Sequence, residues 1–189
     1  MPPMSASATS FLCRRALPAA ERVPVDATPP IGVLFVCLGN ICRSPAAEGV
    51  FRHRLASSPF ADRVHADSAG TGDWHVGEPP HRGSIDATRR RGIDIGRLRG
   101  RQVDVKDFER FTMILAMDRS NLDDLRSLRP QGFQGHLGLF LDFAPNQPVR
   151  EMPDPYGRAG SEFDRMLDLV EQGVDGLIDH LGGRLATPK

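Results

Sequence analysis

The sequence lacks a charge imbalance and a long apolar run, and each absence excludes a class of partner. Its 189 residues include 24 Lys and Arg against 24 Asp and Glu, so the formal net charge at pH 7 is zero. A chain without net charge has no overall field that attracts nucleic acid or an anionic membrane. Its apolar runs all fall short of the ~18 residues that a membrane span requires. We therefore expect no nucleic-acid or membrane partner, and any bound anion must be held by local contacts.

Cysteine is also scarce, since only Cys13, Cys37 and Cys42 are present. Small secreted domains stapled by disulfides carry more cysteines at regular spacing. A structural zinc site needs two pairs of Cys or His, and no second pair stands at that spacing from Cys37 and Cys42. The sequence therefore predicts a protein of the reducing cytoplasm without a zinc site.

The length and the 40% content of hydrophobic residues are those of one globular domain with a sizeable core. Residues 1–30 hold 6 of the 16 prolines among Ser, Thr and Ala, without helical or strand periodicity. We interpret residues 1–30 as a disordered N-terminal tail, which includes Cys13, and residues 31–189 as a single domain.

Strand patterns alternate with helical patterns along the domain. Residues 31–36 are continuously apolar, as in a strand covered on both faces. Ser44 as the N-cap, with Pro45 in the first turn, then predicts the start of a helix. A last helix begins where Ser161 and Asp164 match a capping box, and its apolar stripe reaches Leu181. Further strands are predicted over 63–67, 111–116 and 137–141, and further helices over 85–91 and 121–128. The alternation indicates a doubly wound parallel α/β sheet, in which ligands bind beyond the carboxyl ends of the strands.

The loop from Cys37 to Ser44 lies at such an end and opens a helix. Backbone N–H groups at a helix N-terminus, with the helix dipole, form a site for a tetrahedral anion such as phosphate. The guanidinium of Arg43 can donate two parallel hydrogen bonds to phosphoryl oxygens. The same positive surroundings favour the thiolate of Cys37, which is the nucleophilic form of cysteine.

The segment VLFVCLGNICRSPAAEGVF resembles the phosphate-binding loop of the low-molecular-weight protein tyrosine phosphatases of bacterial type. The resemblance extends over about residues 31–182 and includes the pieces DSAGT, MDRSN and Asp154-Pro155-Tyr156. It implies a four-stranded parallel sheet with helices on both faces, and no metal or other cofactor. It also implies hydrolysis of phosphotyrosine in protein substrates through a cysteinyl-phosphate.

The resemblance assigns roles to individual residues. Cys37 is expected to be the nucleophile, and Arg43 to bind the phosphoryl oxygens. Asp154 would protonate the leaving phenolate and then activate water, and such proton transfer is typically worth ~10² to 10⁴-fold in rate. Ser44 would donate a hydrogen bond to the Cys37 thiolate.

Further residues are expected to bind or support the substrate. Trp74 and Tyr156 resemble aromatic walls for a phosphotyrosine ring, with Ile41 on the floor side. Asn40 would hold a strained backbone, since Asn tolerates positive φ. Asp118 is expected either to anchor Arg43 or to cap the following helix, or to do both. The complete expected binding set is Leu38, Gly39, Asn40, Ile41, Cys42, Ser44, Trp74 and Tyr156, with Ser68 and Asp118 in support.

Some positions depart from the family pattern. Leu98 replaces a histidine that supports the loop Asn, which leaves Ser68 as the partner of Asn40 and thins the polar network there. His81 stands where relatives carry an acidic residue, and Gly157 where they often carry a second Tyr. We interpret Glu48 as a solvated or helix-dipole residue. Cys42 is either a small buried side chain or the partner of Cys37 in a reversible protective disulfide.

Three other functions fit the same fold. An arsenate reductase with a thiol relay needs cysteines downstream of Cys42, and the sequence has none. A protein-arginine phosphatase tends to have Thr where Ile41 stands, because a hydroxyl can bond the phosphoguanidine N–H. An inactive phosphopeptide-binding module would have lost Cys37, Arg43 or Asp154, and all three are present. The sequence therefore favours a phosphotyrosine phosphatase.

Overall fold

A computed structural model describes residues 30–145 and 147–186. Residues 1–29, which carry most of the predicted tail and Cys13, lie outside the described residues. None of the helices within the described ranges combines the length and apolarity that crossing a membrane requires.

Four parallel strands form one sheet in the spatial order β2, β1, β3, β4. Their bounds are β1 (Ile31–Cys37), β2 (Val64–Gly70), β3 (Met113–Ala116) and β4 (His136–Leu139). Strand β1 is buried along its whole length, as its continuous apolar sequence predicts for a central strand. The predicted doubly wound α/β class is therefore confirmed.

Helices cover both faces of the sheet. The helices are α1 (Arg43–Leu55), α2 (Arg82–Arg90), α3 (Asp107–Arg110), α4 (Arg119–Leu128) and α5 (Gly160–Ala186). Successive side chains of β1 point to opposite faces, so Val33 and Phe35 pack against α1, α2 and α5. Leu34 and Val36 pack on the other face against α3 and α4. The side chain of Cys37 shares the face of Phe35 and lies beside α1.

The order of the strands creates the switch point at which such folds bind ligands. The crossover through α1 places β2 on one side of β1, whereas the later crossover places β3 on the other side. Chain segments therefore diverge at the carboxyl end of β1. Cys37 ends β1, and Asp118 follows the end of β3, so both lie at this edge of the sheet.

Several element bounds differ from the sequence prediction. Strand β2 continues to Gly70, because its second half pairs with β1 up to Cys37. Strand β3 begins only at Met113, and β4 ends at Leu139, after which a 3₁₀ turn covers Phe140–Phe143. An apolar pattern indicates buried residues and not strand pairing itself. Buried residues just outside β3 and β4 continue the pattern, so the predicted strands are longer than the paired segments. Helix α2 begins three residues earlier than predicted, at Arg82, and α4 two residues earlier, at Arg119.

The predicted cap of the last helix is wrong. Helix α5 already begins at Gly160, so Ser161 is inside its first turn and is not the N-cap. The apolar stripe is correctly predicted, since Phe163, Val170 and Leu181 are all buried in the main core.

Two glycines of α5 provide a matched test of this packing. An added Cβ at Gly176 would collide with the backbone carbonyl oxygen of Phe143, whereas an added Cβ at Gly183 meets no atom within 4 Å. We expect Gly176→Ala to lower the free energy of unfolding by about 2 kcal/mol or more. Gly183→Ala should raise it by about 0.5 to 1 kcal/mol, because alanine is the better helix former. Urea unfolding measures both, and a Gly176→Ala protein as stable as the native one would contradict the close contact.

Candidate active site

The loop that joins β1 to α1 is tied to its surroundings through its carbonyl groups. The carbonyl oxygens of Cys37 and Leu38 accept hydrogen bonds from the N–H groups of Thr71 and Gly72, at 2.9 and 2.8 Å. The carbonyl oxygen of Ile41 accepts from His81 N–H at 2.7 Å. Helix α1 then begins at Arg43 without a side-chain cap. The N–H groups of an uncapped helix start remain available to an anion.

Asn40 adopts the left-handed conformation that its residue type favours, with φ +54°. Its side-chain nitrogen donates to Ser44 Oγ and to Ser68 Oγ, both at 2.9 Å. Its side-chain oxygen accepts from the backbone N–H of Arg101 at 2.9 Å. The predicted pairing of Asn40 with Ser68 is therefore confirmed, and the thinning of the network relative to proteins with a histidine at position 98 stays a prediction. Leu98, in place of the histidine, packs against the main core.

Cys37 is buried at the base of this loop. Its sulfur accepts a hydrogen bond from Asn40 N–H at 3.3 Å and lies 3.1 Å from Ser44 Oγ. Ser44 also donates to the carbonyl oxygen of Ala69. The expectation that Ser44 caps α1 is wrong, because the N-cap is Cys42 and Ser44 lies within the first turn. Its hydroxyl instead faces the sulfur and the Asn40 amide.

Arg43 is buried between two carboxylates. Its two terminal nitrogens lie 2.6 Å from Asp118 Oδ2 and 2.6 Å from Asp154 Oδ2. Burial alone would lower the pKa of Arg43, but the negative charges of Cys37, Asp154 and Asp118 outweigh it and raise the pKa. The guanidinium is therefore permanently charged. Its Nε is buried and has no hydrogen-bond partner among the described residues.

Asp118 makes both of the contacts that the sequence left open. One carboxylate oxygen pairs with Arg43, and the other accepts from the backbone N–H of Asn121 at 2.8 Å. The second contact caps helix α4. A capped helix start and a buried cation therefore fix the same carboxylate.

The predicted residues divide into those that line a pocket and those that do not. The pocket has a volume of about 150 Å³. Trp74 and Tyr156 are 68% and 58% exposed at its rim, and Ile41 is buried. Asn40, Ser44, Ser68 and Asp118 are not among its lining residues. The pocket is lined by Cys37, Leu38, Gly39, Ile41, Cys42, Arg43, Trp74, His75, Asp154 and Tyr156.

The sequence prediction for Glu48 is wrong, because this side chain is only 2% exposed. Its carboxylate accepts from Ser68 Oγ at 2.6 Å and pairs with Arg52 at 2.9 Å. Ser68 in turn accepts from Asn40, so hydrogen bonds connect Glu48 through Asn40 to Cys37. The spacing of Ser44 and Glu48 places both on one face of α1, but it gave no signal that this face is buried against β2 at Glu48.

Cys42 differs from Cys37 in its electrostatic surroundings. Burial, with the negative charges of Cys37 and Asp154, raises the pKa of Cys42 to about 12. Cys42 is therefore a neutral thiol at pH 7. Both cysteines are free. The reversible disulfide stays a prediction.

The arrangement suits displacement at a tetrahedral anion. Cys37, Arg43 and Asp154 line one small pocket, and the guanidinium of Arg43 has one donor without a partner among the described residues. These groups supply a nucleophile, a binding site for oxyanions and an acid or base. Across residues 30–145 and 147–186, no cluster of three His, Cys, Asp or Glu is arranged to hold a metal ion.

Comparison with known proteins points in the same direction. The family model described as "Low molecular weight phosphotyrosine protein phosphatase" matches residues 32–186. The low-molecular-weight protein-tyrosine-phosphatase YfkJ of Bacillus subtilis is 40% identical over 148 residues, which are 78% of this chain and 94% of YfkJ. The low-molecular-weight protein-tyrosine-phosphatase PtpA of Staphylococcus aureus is 39% identical over 152 residues, 80% of this chain and 94% of PtpA.

A solved structure shows the same fold. The crystal structure of a protein tyrosine phosphatase from Entamoeba histolytica, with Hepes in its active site, has a TM-score of 0.78 to this chain. The two are 33% identical, and the match covers 82% of this chain and 98% of the other.

The buried carboxyl of Glu48 predicts a pH-dependent stability. Burial raises its pKa above the usual range, although the hydrogen bond from Ser68 and the charge of Arg52 partly offset this. A carboxyl with a raised folded-state pKa contributes stability below its unfolded pKa, about 4.3, and loses it as pH rises through the folded value. We therefore expect the unfolding free energy of the native protein, relative to Glu48→Gln, to fall from about pH 4 towards pH 7.

Urea unfolding of both proteins across that pH range measures the difference. Glu109→Gln, at an exposed position of α3, serves as the control and should show little change with pH. If the native protein instead gains stability over the Glu48→Gln variant as pH rises, the burial of the Glu48 charge is contradicted.

Proposed function

The chain belongs to the low-molecular-weight protein tyrosine phosphatase family, and we propose that it hydrolyses phosphotyrosine in proteins through a covalent phosphate on Cys37. The observation that carries this assignment is the state of Arg43. Its Nε is buried without a partner among the described residues, and the guanidinium lies in a pocket with the Cys37 sulfur. A phosphoryl oxygen supplies the acceptor that this nitrogen needs.

In the first step, the Cys37 thiolate attacks phosphorus as the ester oxygen departs. A P–S bond forms, the bond between phosphorus and the tyrosine oxygen breaks, and Asp154 gives its proton to the leaving phenolate. Arg43 and the N–H groups at the start of α1 hold the phosphoryl oxygens throughout. In the structure, the carboxylate of Asp154 pairs with Arg43 at 2.6 Å. A bound phosphoryl group takes over that pairing, so the carboxyl is free to face the leaving oxygen.

In the second step, water removes the phosphate from sulfur. Asp154, now ionised, accepts a proton from water, and the water oxygen attacks phosphorus. The P–S bond breaks, which returns Cys37 as a thiolate and releases inorganic phosphate. Ser44 lies 3.1 Å from the sulfur, and its hydroxyl can turn from the carbonyl oxygen of Ala69 to donate to the thiolate as it leaves. The cycle ends with Asp154 protonated and ready for the next substrate.

The walls of the pocket support an aryl substrate. Trp74 and Tyr156 offer exposed aromatic faces, and Ile41 adds an apolar contact below them. A phosphotyrosine ring gains dispersion and ring contacts from these side chains. A phosphoguanidine would instead leave its N–H without an acceptor at Ile41, which costs binding energy. We therefore favour phosphotyrosine over phosphoarginine.

A reducing compartment suits this chemistry. The mechanism requires Cys37 as a thiolate, and oxidation of a cysteine removes its nucleophile. Both Cys37 and Cys42 are free thiols. The cytoplasm is accordingly the location that we propose.

A comparison of substrates tests the proposed function. Phosphotyrosine, phosphoserine and phosphoarginine peptides of otherwise equal sequence are to be compared by released phosphate. We expect the phosphotyrosine peptide to have the highest kcat/KM by at least about tenfold, since only it fills the aromatic walls. Cys37→Ser should retain less than about 1% of the turnover but still bind inorganic phosphate. Faster release from phosphoarginine, or turnover by the Ser variant, would overturn the assignment.

The role of Asp154 is tested with a series of aryl phosphates. Asp154→Ala should slow esters of poor leaving groups by ~10²-fold or more, and esters of strongly acidic phenols much less. The reason is that an acidic phenol departs without a proton. Asp123→Ala removes an exposed carboxylate of α4 and should leave all rates unchanged. Equal losses across the series would remove Asp154 as the general acid.

A further inference from the structure

The rim of the pocket depends on an aromatic side chain that is itself exposed. Tyr156 is 58% exposed, and its ring contacts in the described chain are two histidines. The His75 ring centroid lies 6.4 Å from it, and the His81 centroid lies 5.7 Å away at an interplanar angle of 69°. The two imidazoles therefore help to set the position of this exposed ring.

His81 is the better anchored of the two histidines. Its backbone N–H donates to the carbonyl oxygen of Ile41 at 2.7 Å, which ties it to the phosphate-binding loop. Its Nδ1 accepts from Gly83 N–H at 3.1 Å and caps α2. His75, by contrast, is held through its Nδ1 by Glu78, which is 57% exposed. The ring of His81 is therefore held by a backbone donor, whereas the ring of His75 pairs with an exposed carboxylate, a weaker kind of contact.

A third contact holds the His81 ring from below. The ring stacks on Phe163 of α5 with centroids 5.1 Å apart and planes only 5° from parallel. Phe163 is buried, and the absence of a side chain at Gly83 makes room for it, since an added Cβ there would lie 2.7 Å from its ring. The stack therefore connects the core to the pocket rim through Phe163, His81 and Tyr156.

From this chain of contacts we infer that His81 is a positioning residue for substrate recognition, which holds Tyr156 as the wall against the aryl group of the substrate. The inference rests on the proposed function. Tyr156 N–H also donates to Asp154 Oδ1 at 3.1 Å, so the same contact steadies the segment that carries the carboxyl. His81 is not a lining residue of the pocket and reaches it through the ring of Tyr156 and the backbone of Ile41, so it acts on the aryl part of a ligand and not on its phosphoryl part.

Two substitutions separate the ring of His81 from its capping nitrogen. His81→Asn keeps a side-chain acceptor that is favoured at an N-cap but removes the ring. His81→Phe keeps a ring against Phe163 and Tyr156 but removes the acceptor. Only the Asn variant should weaken aryl binding, whereas each variant loses one stabilising contact, the stack on Phe163 in His81→Asn and the cap of α2 in His81→Phe.

Calorimetric Kd values for benzylphosphonate and for inorganic phosphate provide the test. We expect His81→Asn to raise the Kd of benzylphosphonate about two- to tenfold, the worth of one aromatic pair, and to leave that of phosphate unchanged. His81→Phe should restore the native Kd of benzylphosphonate. Equal weakening of both ligands, or no weakening in the Asn variant, would overturn the inference. If the Asn variant does not fold, Phe163→Leu removes the stack from below. This variant must then raise the Kd of benzylphosphonate and leave the Kd of phosphate unchanged.

The native protein distinguishes failure of the inference from failure of the proposed function. If the native protein binds benzylphosphonate and hydrolyses aryl phosphates, but the variants bind benzylphosphonate and phosphate with equal changes in Kd or none, only the role of His81 is rejected. Native protein that neither binds benzylphosphonate nor hydrolyses aryl phosphates rejects the proposed function, and the inference with it.

Discussion

The conformation of Asn40 is the constraint on which the site depends. Its φ of +54° turns the chain between β1 and α1, and its amide has partners in Ser44, Ser68 and the backbone of Arg101. A left-handed conformation of a non-glycine residue costs free energy, and these hydrogen bonds offset that cost. With them, the backbone N–H of Asn40 is directed at the Cys37 sulfur. One side chain thus fixes both the course of the loop and a donor to the nucleophile.

The charges of the site are mutually dependent. Arg43 is buried, and a buried cation is tolerated only where carboxylates or a thiolate compensate it. Asp118 provides a permanent partner because α4 also holds it, whereas Asp154 is 42% exposed and carries no second helix cap. The first carboxylate is therefore suited to orienting the guanidinium, and the second to moving between Arg43 and a leaving group. Behind them, the buried Glu48 completes the polar chain through Ser68.

The centre of the site was predictable from local sequence patterns. Contacts between distant segments of the chain were not predictable in this way. Cys37 and Arg43 lie at the ends of one strand–loop–helix unit, so their spacing alone brings them to one pocket. The burial of Glu48 depends on β2 lying beside α1, which the helical pattern alone does not reveal. Likewise, Ser44 does not cap α1 because the helix already begins at Arg43, and its hydroxyl accepts from the Asn40 amide and lies beside the Cys37 sulfur. The stack of His81 on Phe163 joins segments that are far apart in the chain and has no signal in the sequence.

The most direct test of the account is to identify the atom that carries phosphate during turnover. Native protein mixed with a ³²P-labelled aryl phosphate is to be quenched within the first turnover and mapped by peptide analysis. We expect one labelled peptide, with the phosphate on the sulfur of Cys37, formed at the rate of phenol release. Turnover with no labelled protein, or label on any other residue, would contradict it.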